Sequence, residues 1–122
     1  MPRCVILRHE TPSDSDRLSH WDFMLEADGE LLTWQWESMP PKQHRFRARQ
    51  LDNHRLDYLT REGVLSENRG TVIRTDEGTY TPAIEKIATD FEIFLQLQQF
   101  SGTLIGKQVQ GNQWLFEYQP LN

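Results

Sequence analysis

One cysteine, Cys4, stands in a chain of 122 residues. A single thiol closes no internal disulfide and builds no cysteine-rich zinc site. No apolar run is long enough to span a bilayer, and the N-terminus has no signal-type apolar region, so the expectation is a cytoplasmic protein with no membrane partner. Basic charge is not in excess: 13 Lys and Arg against 18 Asp and Glu give a net charge of −5. That balance argues against broad electrostatic coating of nucleic acid, although a local basic patch stays open. The sequence also lacks a glycine-rich phosphate loop, a nucleophile elbow, a Cys/His nucleophile pair, internal repeats and low-complexity stretches. What it has is aromatic core material. Four Trp and six Phe, with 37% hydrophobic and 25% charged residues, describe a globular chain of one domain, 1–122.

The most informative stretch is Arg17-Leu18-Ser19-His20-Trp21-Asp22-Phe23-Met24-Leu25-Glu26. Trp21, Phe23 and Leu25 alternate with His20, Asp22 and Glu26. In a strand, alternate side chains share a face, so one face is built for a core and the other presents His20 and Asp22 about 7 Å apart. Ahead of it, Cys4-Val5-Ile6-Leu7 reads as a buried strand ending in Arg8, His9 and Glu10, followed by a polar loop over 11–16. Behind it, the Asp28-Gly29 turn leads into a strand over 31–36. Met39-Pro40-Pro41-Lys42 breaks the pattern, and 45–51 reads as a strand with one basic face. Turns are expected at Asp52-Asn53-His54-Arg55, at Asp76-Glu77-Gly78 and at Gly111-Asn112, with a loop over 62–69. Strands are expected over 70–75, 79–81, 91–97, 104–109 and 114–118, the segment before Phe91 starting helical or irregular. Many short strands with turn signals between them predict an all-β fold with minor helix, a small closed or nearly closed β-barrel.

Among the polar residues, His9 at a strand end can aim into a cleft, and His20 and Asp22 offer half a metal site. A set of two histidines and an aspartate suits Mn²⁺, Zn²⁺ or Fe²⁺. The bland readings are a solvated edge strand and an exposed loop-edge histidine. His54 has Tyr58 four residues on, and turn histidines are more often solvated than catalytic; His44 is assigned to the surface. Arg45, Arg47 and Arg49 suit phosphate groups, which arginine grips bidentately, or they form a solvated basic face. Trp34 and Trp36 share a face and are assigned to the core.

Taken in order, these segments resemble the 3′-phosphoesterase domain of bacterial end-joining DNA ligase D, which also occurs as small stand-alone proteins. The resemblance rests on Val5-Ile6-Leu7-Arg8-His9, on Arg17 to Glu26, on Gln50-Leu51-Asp52-Asn53-His54-Arg55-Leu56-Asp57-Tyr58, and on Glu62-Gly63 with Gly70-Thr71-Val72. It covers most of the chain. It implies a compact β-barrel that binds Mn²⁺ and trims 3′ ends of DNA, removing a terminal ribonucleotide and then the 3′-phosphate. It places the metal ligands on His9, His20 and Asp22, and a catalytic His/Tyr element on His54 and Tyr58. It implies nucleic-acid 3′ ends as partner, with separate end-joining ligase or polymerase proteins alongside.

The sequence departs from that pattern in three ways. Met24 stands where the central motif carries a phosphate-contacting arginine. The loop between His9 and Arg17 is longer, and that between Glu62 and Gly70 shorter. A second phosphate-binding arginine falls by direct counting on Phe46, between Arg45 and Arg47. Those departures keep a non-catalytic module open, one that binds nucleic-acid ends or a protein. A two-histidine, one-carboxylate iron oxygenase using His20, Asp22 and His54 is a third reading.

Overall fold

The computed structural model describes residues 1–40, 44–84, 90–99 and 101–121. Its strands are β1 (Arg3–Glu10), β2 (His20–Ala27), β3 (Glu30–Trp36), β4 (Arg45–His54), β5 (Gly63–Val64), β6 (Thr71–Thr81), β7 (Asp90–Leu97), β8 (Ser101–Gln110) and β9 (Gln113–Pro120). One 3-10 turn, Leu56–Leu59, interrupts them. Neighbours run β1-β2-β3-β4-β9-β8-β7-β6, and β6 pairs back onto β1, so eight antiparallel strands close a barrel. Closure leaves no long edge to pair with another chain. β5 lies outside the ring, joined to the first residues of β6. Among the described residues, no helix is long and apolar enough to cross a membrane.

The alternation read in β2 divides the molecule into two apolar compartments. Phe23 and Leu25 point inward and join Trp34, Trp36, Phe46, Trp114 and Phe116 in the fully packed lumen. Trp21, on the same face but near the strand end, stays partly exposed with the Arg8 guanidinium 4.2 Å over its ring. The opposite face of β1 and β2 carries Val5, Leu7 and Met24. These pack outside the barrel against Leu31, Leu59, Leu65 and Val72, with Leu56 and Tyr58 at the margin. This outer cluster fastens the chain from the 3-10 turn to Leu65 onto the barrel wall, because burying those aliphatic groups is what holds a segment with so little backbone pairing.

Two expected turns are strand instead. β4 runs on through Asp52 and Asn53 to His54, held by pairing of His54 with Leu31. Asp76-Glu77-Gly78 lies within the continuous β6, and the irregularity there is a bulge against β1 between Ile6 and Leu7. At that bulge the buried Asp76 carboxylate accepts the N–H groups of Glu77 (2.8 Å), Gln98 (3.0 Å) and Gln99 (3.1 Å), tying β6 to the β7–β8 turn. The polar composition that signals a turn serves here to satisfy backbone donors of a neighbouring one. Within the expected loop over 62–69, Gly63 and Val64 form β5. Ala83 and Ile84 are irregular as expected, while Pro41 and Lys42 and the rest of the segment up to 89 lie outside the described residues.

Candidate metal centre

The β1–β2 register builds the site. Antiparallel pairing sets His9 directly opposite His20 and Leu7 opposite Asp22, so both imidazoles and the carboxylate emerge on the outer face of the wall. The two rings meet edge to face with centroids 4.9 Å apart. One donor atom from each of His9, His20 and Asp22 lies within 4.8 Å of the others, the one such group found among the described residues. All three are buried or nearly so, with His20 1% and Asp22 4% exposed.

Backbone carbonyls fix both imidazoles. His20 Nδ1 donates to Leu18 O at 2.9 Å, and His9 Nε2 donates to Arg69 O at 2.8 Å. A carbonyl oxygen only accepts, so these nitrogens carry the protons, and the lone pairs of the neutral rings sit on His20 Nε2 and His9 Nδ1. Both face Asp22, at 3.1 Å from Oδ1 and 3.7 Å from Oδ2 respectively. Despite the 3.1 Å separation, neither His20 Nε2 nor Asp22 Oδ1 has a hydrogen-bond partner of good geometry. The indole N–H groups of Trp34 and Trp36 are also unpartnered, so an orphan by itself is not diagnostic. The site differs in setting two buried acceptors against each other, an arrangement that requires a proton or a cation between them.

Electrostatics agree with that geometry. Burial pushes the Asp22 carboxyl up, but His20 and His9 beside it outweigh burial and hold it at about 2. The Asp22 carboxylate raises His9 above its ordinary value, against burial and with help from the Arg69 carbonyl. A carboxylate and two oriented imidazoles form a donor set that fits a borderline divalent ion such as Mn²⁺, Zn²⁺ or Fe²⁺.

These three line a cavity of about 240 Å³ on the outer wall, shared with His54 and Tyr58. His54 ends β4 and donates from Nδ1 to Asp52 O at 3.0 Å, which leaves Nε2 for another partner. Tyr58, on the 3-10 turn, meets it edge on with ring centroids 5.0 Å apart. The structure therefore brings His9, rather than His54, to His20 and Asp22, and the donor order of the oxygenase reading is not the one that converges.

The arginines fall differently from expectation. Arg17 and Arg69 reach the cavity; Arg45, Arg47 and Arg49 do not line it. Arg45 is tied to Glu117 at 3.0 Å, and Arg47 and Arg49 line a separate groove further round the barrel. Arg17 donates to Gln35 Oε1 at 3.1 Å from its loop position. Arg17 could have been found from its place immediately ahead of the His-x-Asp strand. Arg69 gave no such signal, because a loop supplies it. Met24 is wholly buried in the outer apolar cluster and does not line the cavity, so its position serves packing of the chain between the 3-10 turn and Leu65.

Gly70 holds the Arg69 carbonyl in place. Its φ of +98° favours glycine, and a Cβ there would overlap the backbone carbonyl of Glu10. Gly70→Ala is expected to lift Arg69 O from His9 and, under the metal-binding reading proposed below, to weaken Mn²⁺ affinity by about 10–100-fold, the usual cost of removing an outer partner of a ligating histidine. Isothermal titration with Mn²⁺ reads this; unchanged affinity would show that His9 needs no such brace.

With the lumen of this small closed antiparallel barrel filled by side chains, the buried His-His-Asp cluster places any chemistry on the outer wall rather than inside the barrel. The family model of the DNA Ligase D 3′-phosphoesterase domain matches residues 9–117, and the chain belongs to that family. The multifunctional non-homologous end joining protein LigD of Pseudomonas aeruginosa is 40% identical over 75 residues. That alignment takes in 57% of this chain and 9% of LigD, so the chain corresponds to a small part of that protein.

Proposed function

We propose that this chain is a metal-dependent 3′-phosphoesterase that acts on 3′-phosphate or 3′-ribonucleotide ends of DNA in end-joining repair. One observation carries the reading: two imidazoles and a carboxylate converge within 4.8 Å beside His54 and Tyr58, in a chain of the 3′-phosphoesterase family. His9 Nδ1, His20 Nε2 and Asp22 would hold the ion, Mn²⁺ by preference with Zn²⁺ or Fe²⁺ as substitutes. A divalent ion supplies charge neutralisation at phosphoryl oxygens and a more acidic water.

The chain's own residues do the rest. His54, its Nδ1 fixed by Asp52, presents Nε2 as the group that hydrogen-bonds the phosphate or protonates the departing oxygen. Tyr58 orients the phosphate; its ring is steadied by the Arg61 guanidinium 5.2 Å above it, itself paired with Asp57 at 3.7 Å. Arg17, rather than the β4 arginines, would supply a cation for phosphoryl charge; Arg69 also lines the cavity, with its guanidinium hydrogen-bonded to Ser66. Separate ligase and polymerase proteins would act on the trimmed end.

Incubation with Mn²⁺ and a duplex primer bearing a 3′-phosphate or one 3′-ribonucleotide tests this. Wild type is expected to convert the end, and His9→Ala and His20→Ala are not. The burial of Met24 where the resemblance expects an arginine favours a second reading, a module that binds 3′ ends without turnover. Tight binding with no conversion would select it.

Protons would compete with metal at His9. Because the folded protein raises His9 above 6.5, Mn²⁺ affinity is expected to climb with pH through and beyond that value, with proton release on binding. In the metal-free protein the sign reverses. A raised His9 stabilises below its unfolded value near 6.5 and ceases to do so as pH rises through its folded value. A depressed Asp22 stabilises above 3.8 and loses this as pH falls towards 2. Metal-free stability from this pair therefore peaks between those limits, and thermal melts in EDTA across pH 3 to 8 read it.

A further inference from the structure

Outside the site, a groove of about 660 Å³ runs along β4 and β9, lined by Arg47, Arg49, Gln35 and Glu37 with Val109 and Leu115. Arg47 and Arg49 are exposed, and Arg47 has no ion-pair partner among the described residues. Arg49 likewise has no ion-pair partner among the described residues, so the groove carries two uncompensated guanidinium groups in a protein of net charge −5. The groove is also joined to the metal centre. Asp22 pairs with Gln35 across β2–β3, and Gln35 pairs with Arg49 across β3–β4, so the three form one row on the outer face. Gln35 Oε1 accepts from Arg17 at 3.1 Å and from Arg49 at 3.4 Å, which makes it a bridge between cavity and groove. Two inter-strand steps separate Asp22 from Arg49, roughly 10 Å. Beyond Arg49 the cationic row continues to Arg47, whose partner across β9 in turn faces Lys107 on β8.

We infer that this groove is a track for the polynucleotide strand whose 3′ end enters the cavity, with Arg49 and Arg47 contacting phosphates on the 5′ side of the reacting end. The inference rests on the proposed activity and adds the direction in which the strand leaves the site. Trp114 floors the groove but is only 1% exposed, and no other aromatic ring lines it. Contact through phosphates without base stacking gives binding that is indifferent to sequence and strongly salt-dependent. Glu37, the one acid in the lining, is exposed and opposes the polyanion.

The test is binding, so it stands apart from turnover. A fluorescent single strand of about 12 nucleotides with a 3′-phosphate is titrated with the whole chain in EDTA, from roughly 50 to 200 mM salt. Arg47→Gln/Arg49→Gln is expected to weaken binding at least about fivefold at the lower salt and to flatten the log–log salt slope by about 1.4, two phosphate contacts. Glu37→Gln is expected to tighten binding. Equal affinity and parallel slopes for wild type and the double variant would overturn the track, as would no binding by wild type. Competition by polyaspartate equal to that by the same length of DNA would reassign the groove to an acidic protein segment. End conversion with Mn²⁺ is scored separately: conversion with unaltered salt slopes removes the track alone, and altered slopes without conversion remove the catalytic reading alone.

Discussion

Under the proposed activity, Asp22→Asn is expected to abolish Mn²⁺ binding and end conversion while leaving the metal-free protein at pH 8 as stable as wild type, or more so. The carboxylate is the one anionic donor of the cluster, and an amide is a far poorer ligand for a divalent ion. The loss of metal affinity should exceed the roughly 10–100-fold that follows from removing an outer partner. Stability moves the other way for a reason visible in the geometry. His20 Nε2 and Asp22 Oδ1 are two buried acceptors 3.1 Å apart with no hydrogen bond between them. At pH 8 in EDTA, an asparagine amide N–H at that distance supplies the missing donor and removes a buried charge. Melting in EDTA and titration with Mn²⁺ on the same variant separate the two effects. A melting temperature several degrees below wild type would mean that the aspartate is there for the fold.

Phe116→Ala is expected to remove about 3–5 kcal/mol of folding stability, the usual cost of deleting a phenyl ring from a tight core. Against a total of about 5–15 kcal/mol for a protein of this size, that is a large share. Phe116 is fully buried at the middle of the lumen and meets the rings of Phe23, Trp34, Trp36, Phe46, Phe91 and Trp114, with centroids 5.7 to 6.2 Å away. Five of those six partners come from other parts of the sequence, on β2, β3, β4 and β7, so neighbouring strands cannot close over the void independently. Urea unfolding measures the loss; a change below 1 kcal/mol would mean that the lumen relaxes around the deletion.

Much of this was legible before any coordinates, and the reason is periodicity. Strict alternation in β2 and the paired tryptophans of β3 assign faces without knowledge of the partner strands, and Phe23, Leu25, Trp34 and Trp36 all lie in the lumen. The His-His-Asp set came from the resemblance rather than from periodicity; the pairing supplies the reason the three meet, since His9 lies next to the end of β1, His20 begins β2, and antiparallel register sets them opposite. What depended on contacts remote in sequence was not legible. Asp76 and Gly78 look like a turn, yet they sit in a long strand because Asp76 answers N–H groups 22 and 23 residues away. The outer apolar cluster was invisible for the same reason: Val5, Leu7 and Met24 alternate like any buried strand, and only the chain from Leu56 to Leu65 shows that their second face is covered too. The shared face of Arg45, Arg47 and Arg49 was legible from alternation in β4, but not their distance from the cavity: the strand's position in the ring sets them two strands from Asp22.

The placement of the cavity on the wall, with the lumen solid, has a consequence for which polymers can be served. Nothing needs threading: a chain can settle sideways onto the barrel, and the scaffold by itself does not tell a terminus from an internal linkage. Under the proposed activity that choice passes to the rim, where Ser15 and Arg17 approach from one loop and Asn68 and Arg69 from another. Relatives with longer or shorter versions of these two loops would then differ in how strictly they insist on a free end, with the barrel unchanged beneath.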